Sequence, residues 1–146
     1  GGVVKIMDKV PAIFVSAFVI GGIAIIGWTI FSSERADTVV SVKVPTLSQP
    51  AKVGKAAFDA TCAQCHGANA AGSDKGPPLV HDIYNPGHHA DYAFVLAAQR
   101  GVRQHHWPFG DMPPQPQVSE ADIGAIVRYI RELQTANGIG YRPHNM

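Results

Sequence analysis

The chain has 146 residues and a formal net charge of +1, with 12 Lys and Arg against 11 Asp and Glu. This length is enough for one domain of ordinary size and an additional segment. No basic run or stripe is present to neutralise phosphates, so nucleic acid is excluded as an expected partner. Charged residues make up 16% of the chain, and they are scarcest near the N-terminus.

The most apolar part of the chain runs from Val10 to Ser33 and contains no charged residue over 24 positions. As a helix rising ~1.5 Å per residue, it would exceed the ~30 Å hydrocarbon core of a bilayer. A secretory signal peptide is the competing interpretation, but its apolar region has only ~7 to 15 residues. We therefore predict that an N-terminal segment, residues 1–33, crosses the lipid bilayer once as a transmembrane helix at about 10–33.

Charges on either side of this stretch predict its orientation. Lys5 and Lys9 precede it, whereas Glu34, Arg35 and Asp37 follow it. Because Lys and Arg are enriched on the cytoplasmic side of a span, the N-terminus is expected inside and the rest of the chain outside.

Residues 34–50 are predicted to form an extended linker. Pro45 and Pro50 near its end disfavour a helix. The segment from 32 to 50, at ~3.3 Å per residue, spans at most about 60 Å. Such a linker would hold the following domain near the membrane.

Three helices are predicted in the remaining domain, residues 51–146. The first runs from 51 to 66, with four side chains available to pack inward: Val53, Ala57, Phe58 and Ala60. The second runs from Asp91, a candidate N-cap, to Arg100, and Gly101 follows as a stop signal. The loops between helices are rich in Gly and Pro and show no strand pattern, so the domain is predicted to be all-α.

The third helix has the clearest signals. Ser119 followed by Asp122 resembles a capping box, and Gly138 marks the latest end of the helix. Apolar residues recur at intervals of three and four along it: Ile123, Ile126, Val127, Ile130 and Leu133. This periodicity predicts one buried helix face.

The most specific motif is the run Cys62-Ala63-Gln64-Cys65-His66. On a helix Cys62 and His66 lie one turn apart, so two thiols can bond the vinyl groups of a porphyrin while the imidazole binds its iron. A thioredoxin-like pair would need a βαβ pattern, and a zinc site would need more Cys or suitably spaced His. The other histidines show no paired ligand spacing: His81, His88, His89, His105, His106 and His144. We predict one covalent haem c on Cys62 and Cys65, which leaves no cysteine for a disulfide.

Residues 51 to about 135 resemble class I cytochrome c. Beyond the haem-binding run, Gly54 and Phe58 resemble the Gly-x-x-x-aromatic of the family's first helix, and Tyr129-Ile130 resembles the aromatic position of its last helix. The resemblance implies that these two helices cross closely, with the glycine permitting the approach. It also implies the class I cytochrome c fold, with three or more helices around one haem.

Gly76-Pro77-Pro78-Leu79 resembles the family's Gly-Pro-x-Leu, in which the proline carbonyl accepts the N–H of the proximal imidazole. By this resemblance Pro77 orients His66 and raises its basicity, as outer partners of ligating histidines do. A simple turn is the alternative interpretation.

Met112 is the candidate for the sixth ligand of the iron. It lies 46 residues after His66, between Asp111 and Pro113, where the family's methionine loop lies. A thioether suits the reduced iron, and His/Met ligation raises the potential. His105 or His106 in the same loop would instead give a bis-histidine centre, which stays open as an alternative. Candidate donors to a haem propionate are His105, His106, Arg103 and Trp107.

With His66 and Met112 both bound, the iron has no open position, and one-electron transfer remains as its chemistry. We therefore predict an electron-transfer protein, not an enzyme, without catalytic residues. Membrane-anchored relatives of class I cytochromes carry electrons from quinol:cytochrome c oxidoreductase to a terminal oxidase or a photosynthetic reaction centre, and these are the expected partners. The expected location is the bacterial inner membrane with the haem domain on the periplasmic side. A tethered shuttle and a permanent subunit both fit.

Two other functions stay open. If Met112 does not bind the iron, a five-coordinate haem would suit a gas sensor or a peroxide-reducing enzyme. Alternatively, the membrane span is the main element, and the chain is a structural subunit of a membrane complex.

Overall fold

The computed structural model describes residues 10–36 and 39–143, and the chain divides into two compact units, Gly1–Asp37 and Thr38–Met146. The described residues form five α-helices: α1 (Val10–Ala36), α2 (Gln49–Thr61), α3 (Ala63–His66), α4 (Asp91–Arg100) and α5 (Glu120–Ala136). Two short 3-10 helices cover Ala68–Ala70 and Asp82–Tyr84. No strand occurs in this part of the chain, where Val102 and Met112 form an isolated antiparallel bridge. The all-α prediction is confirmed.

Four residues named from the sequence lie outside the described residues: Lys5, Lys9, Asp37 and His144.

The helix α1 contains the whole apolar stretch and continues to Ala36, three residues beyond the predicted end of the span. Its large apolar side chains from residue 14 to residue 28 are exposed, among them Phe18 at 83% and Trp28 at 73%. Across residues 10–36 and 39–143, no helix combines the length and the apolar character of a membrane span.

The centre of the second unit is the crossing of α2 and α5. A Cβ atom at Gly54 would lie 1.9 Å from the carbonyl oxygen of Ala125, so only glycine allows these backbones to come so close. One turn further along α2, Phe58 meets Tyr129 edge to face, with ring centroids 5.6 Å apart. Both rings are fully buried. The close crossing that the resemblance implied is present.

The helix α5 has the buried face that its periodicity predicts. All five of the expected apolar positions are buried: Ile123, Ile126, Val127, Ile130 and Leu133. Ser119 caps the helix, because its Oγ accepts a hydrogen bond of 3.1 Å from the Asp122 backbone N–H. Gly138, with a φ of +78°, follows the helix as a left-handed residue.

The helix α2 differs from its prediction in the face that it buries. Val53 is 58% exposed and Ala60 is also exposed, whereas Ala51 and Gly54 are buried with Phe58. The prediction rests on side-chain hydrophobicity, but the contact with α5 needs the smallest residue of α2 at the crossing. The buried face of α2 is therefore determined by the close approach of the two backbones.

Residues 39–48, which we call the strap, are extended as predicted but do not form a free linker. The Val40 N–H donates to the Ala71 carbonyl over 2.8 Å, and the Lys43 backbone exchanges two hydrogen bonds of 2.8 Å with the Asn137 side chain. Near the end of the strap, Ser48 Oγ lies 2.6 Å from Glu132 Oε1. The apolar residues Val40, Val42 and Leu47 pack against the core. Because the sides of an extended segment alternate, Val40 and Val42 share one side, which packs inward, while Val39 is exposed.

The close contact between α2 and α5 predicts that alanine substitutions of two helical glycines change the free energy of unfolding in opposite directions. Gly54→Ala is expected to lower the free energy of unfolding by about 1–3 kcal/mol, because the added methyl group meets the backbone of α5. Gly124→Ala, on α5 with no atom within 4 Å of its Cβ position, is expected to raise it by up to about 1 kcal/mol. Urea denaturation of the haem-loaded chain, followed by far-ultraviolet circular dichroism, measures both. Equal effects would contradict the close crossing.

Candidate haem-binding site

An apolar cavity of about 400 Å³ opens in the second unit. Its walls come from α2, α4 and α5 and from the loop that leads to Met112, and they include Phe58, Phe94, Ile126 and Ile130. The volume and the apolar lining are typical of a small-molecule or cofactor site.

The run Cys62 to His66 lies at the C-terminal end of α2. Cys62 is the C-cap of α2 and the N-cap of α3, and Gly67, with a φ of +73°, turns the chain away after His66. Cys62 and His66 line the cavity, whereas Cys65 does not. The carbonyl of Cys65 accepts a hydrogen bond from Ser73 Oγ, which ties this short helix to the following loop.

Both thiols are free and half-buried. Burial, together with the charge of the neighbouring Cys65, raises the pKa of Cys62 to about 11. The Cys62 thiol is therefore protonated at neutral pH.

One ring nitrogen of His66 makes a hydrogen bond, and the other is able to bind a metal. Its Nδ1 lies 2.9 Å from the carbonyl oxygen of Pro77, to which an Nδ1–H donates. This tautomer leaves the lone pair on Nε2, which is the atom that a metal binds. Burial lowers the pKa of His66, an effect that the bond to Pro77 opposes, so the neutral ring is favoured. The hydrogen bond that the resemblance implied is present, and the role of His66 as a ligand stays a prediction.

Met112 lines the same cavity as His66. Its backbone is held by two hydrogen bonds of 2.9 Å with Val102, one in each direction. Gly101 makes this bridge possible, since it adopts a φ of +75° and a Cβ there would lie 2.5 Å from the Met112 carbonyl oxygen. Two candidate ligands that are 46 residues apart in the chain are thus brought to one apolar cavity.

Trp107 offers an independent test of whether a porphyrin fits. Its Nε1–H is buried, lies at the cavity and meets no hydrogen-bond acceptor with suitable geometry within the described part of the chain. Burial raises the pKa of the nearby Tyr84 to about 12, and a side-chain contact with the Trp107 N–H, which falls short of hydrogen-bond geometry, opposes this effect. Since buried unpaired donors are rare, an acceptor supplied by a bound group is the simplest partner. A haem propionate has this chemistry, so the residues present fit the cofactor.

Two polar residues of α5 that the sequence analysis did not single out hold the cavity wall in place. Arg131 pairs with Asp91 over 2.7 Å and donates to the Tyr84 carbonyl over 2.7 Å. Gln134 is 1% exposed and donates to the Leu79 carbonyl over 2.8 Å. Asp91 therefore pairs with α5 instead of capping α4. In the sequence, the only sign that Gln134 is buried is that position 134 continues the buried face of α5.

The comparisons with known proteins give one positive result. The family model described as Cytochrome c matches residues 51–134, which is more than half of the chain. The chain belongs to the cytochrome c family. No curated protein and no solved structure matches it.

Membership of this family establishes the cofactor. It is haem c, bound covalently and containing iron, and Cys62 and Cys65 fit the attachment motif. The domain is of the kind that performs haem-based electron transfer.

Trp107→Phe removes the unpaired N–H and keeps an aromatic ring. We expect the free energy of unfolding of the haem-loaded chain to fall by about 2 kcal/mol, because the donor bonds a charged acceptor there. Ultraviolet resonance Raman spectroscopy should also lose the band of a hydrogen-bonded indole. Trp28→Phe, at an exposed position of α1, is the matched control and should leave that band in place. A Trp107 band typical of an unbonded indole would contradict the assignment.

Proposed function

We propose that the chain is a membrane-anchored, mono-haem c-type cytochrome that carries single electrons between membrane complexes. The observation that carries this proposal is that His66 and Met112 line one apolar cavity beside the attachment run. The single Cys-x-x-Cys-His run supports one haem per chain.

When bound, haem c supplies reversible one-electron exchange at its iron. Cys62 and Cys65 would hold the group by thioether bonds, and His66, oriented by the Pro77 carbonyl, would provide the imidazole ligand. Met112 would provide a soft sulfur ligand, which favours the reduced iron and raises the potential. The apolar walls exclude water from the site. With His66 and Met112 both holding the iron, no substrate would bind it, and we therefore propose an electron carrier and not an enzyme.

Met112→Ala tests the ligand set. The oxidised protein should lose its near-infrared sulfur-to-iron band, and its midpoint potential should fall, because the thioether that favours the reduced iron is gone. Carbon monoxide should shift the reduced spectrum of this variant, since a position on the iron becomes open. The control replaces both other methionines, Met7 and Met146, by Ala and should leave all three properties unchanged.

Three results would contradict the proposed ligand set. Absence of the near-infrared band from the unsubstituted protein would mean that a residue without sulfur, such as His105 or His106, is the ligand. A band that survives Met112→Ala would mean that another methionine is the ligand. A carbon monoxide shift in the unsubstituted protein would favour the gas-binding or peroxide-reducing function instead.

The membrane anchor in the proposal rests on the sequence. The stretch from Val10 to Ser33 has no charge, and α1, which contains it, exposes its large apolar side chains between residues 14 and 28. Lipid is the natural environment for such a helix. The charges before and after it support an N-terminus inside and a haem domain on the periplasmic side of a bacterial inner membrane.

The proposed partners are a quinol:cytochrome c oxidoreductase as donor and a terminal oxidase or photosynthetic reaction centre as acceptor. The strap bears on how the chain meets them. The strap is bonded to the second unit from Val40 onward, so residues 40–48 do not form a free tether. The absence of a long free tether within this segment favours a permanent subunit of one complex over a shuttle that ranges widely.

Membrane attachment can be tested by placing charges in α1. The double variant Ile20→Lys and Ile23→Lys should move the chain to the carbonate-soluble fraction, because each lysine costs about 2.5–3.5 kcal/mol at the centre of a span. Val39→Lys with Val44→Lys, at exposed positions of the strap, is the matched control and should stay in the membrane fraction. Release of the unsubstituted chain by carbonate would contradict the anchor.

A further inference from the structure

Three histidines that are separated in the sequence meet at one edge of the cavity. His88 and His89 lie in the turn before α4, and His106 lies in the loop that leads to Met112. One ring nitrogen of each lies within 4.8 Å of those of the other two. The spacing of these histidines in the sequence predicts no shared ligand site, but the fold brings them together.

The shortest distance in this cluster suits a shared cation. His88 Nε2 and His106 Nε2 are 3.2 Å apart. Two imidazole nitrogens bound tetrahedrally to one Zn²⁺ at ~2.0–2.1 Å are separated by about 3.3 Å. The two rings already have the spacing that two ligands of one ion need.

His89 is oriented as a ligand would be. Its Nδ1 lies 2.8 Å from the Ile83 carbonyl, so an Nδ1–H donates there and the lone pair is on Nε2. Metal-binding histidines commonly donate their second ring N–H to a backbone carbonyl in this way. The carbonyl of His89 itself accepts a hydrogen bond from Arg131, which anchors the turn to α5.

The chemistry of the cluster favours a particular class of ion. All three groups are imidazoles, which suit Zn²⁺, Cu²⁺ or Ni²⁺, whereas Mg²⁺ and Ca²⁺ prefer oxygen ligands.

We propose that His88, His89 and His106 bind one divalent transition-metal ion of the zinc class, separate from the haem iron. Three protein ligands leave a fourth position for solvent. His89 and His106 also line the cavity, so the ion links the turn before α4 to the loop that carries Met112. This second metal site depends only on the three histidines and not on the electron-transfer role of the chain.

The test is isothermal titration of Zn²⁺ into the full haem-loaded chain in detergent, purified without a polyhistidine tag and freed of metals with a chelator. We expect one equivalent to bind. His88→Ala and His106→Ala should each weaken the binding about tenfold or more. Zinc-edge X-ray absorption should show imidazole nitrogens at ~2.0–2.1 Å.

His105→Ala is the matched control. This residue adjoins His106 and is exposed like it, and its Nδ1 bonds the Arg103 carbonyl, but it is not in the group of three whose ring nitrogens lie within 4.8 Å of one another. Its substitution should change the zinc affinity by less than about twofold, well below the effect of losing a ligand. The near-infrared band of the oxidised haem reports folding in each variant, and a variant that lost the band would be replaced by its Gln counterpart.

Absence of zinc binding would overturn the proposal. So would binding that survives both His88→Ala and His106→Ala, or that His105→Ala weakens as much as they do, since an adventitious ion on surface histidines behaves in that way. The His66 and Met112 assignment is measured by the near-infrared band and carbon monoxide, so the two proposals fail separately.

Discussion

The contact between the backbones of α2 and α5 is the constraint on which the rest of the second unit depends. At Gly54 no side chain separates the helices, and the Ala125 carbonyl occupies the space that a Cβ would need. This approach fixes the rotation of both helices about their axes. It buries Phe58 against Tyr129 and aims the apolar residues Ile126 and Ile130 at the cavity. The haem-binding run, which directly follows α2, is thereby placed beside the apolar wall that the cofactor needs.

Besides α4, the remaining walls of the cavity are loops. Buried backbone carbonyls must find partners, and α5 supplies them from its polar side chains. Arg131 and Gln134 bond the carbonyls of Tyr84 and Leu79, so one helix holds the loop between the haem-binding run and α4. The Met112 segment is held differently, by its bridge to Val102 across a turn at Gly101. A rigid helix pair thus positions functional groups on loops, a common arrangement in binding sites.

The strap belongs to the second unit and packs against its core. Its bonds to Asn137 and Glu132 join positions 94 and 84 residues apart, and its apolar residues complete the core. A segment held in this way is part of the domain and does not act as a flexible spacer. Residues 40–48 therefore do not contribute to a long tether, whose length would set an effective concentration for the proposed cytochrome at its partners.

Local sequence by itself determined the helices α4 and α5, the buried face of α5, the haem-binding run and Met112 as a candidate ligand. Each of these rests on spacings within one or two helical turns, or on a residue type with few other uses in its context. Tertiary structure decided which face α2 buries, the packing of the strap, the duties of Arg131 and Gln134, and the meeting of His88, His89 and His106. These features depend on contacts between residues far apart in the chain. Periodicity and composition indicate the secondary structure and the buried face that a segment favours by itself. The residues that it contacts are determined only by the packing of the helices in the folded chain.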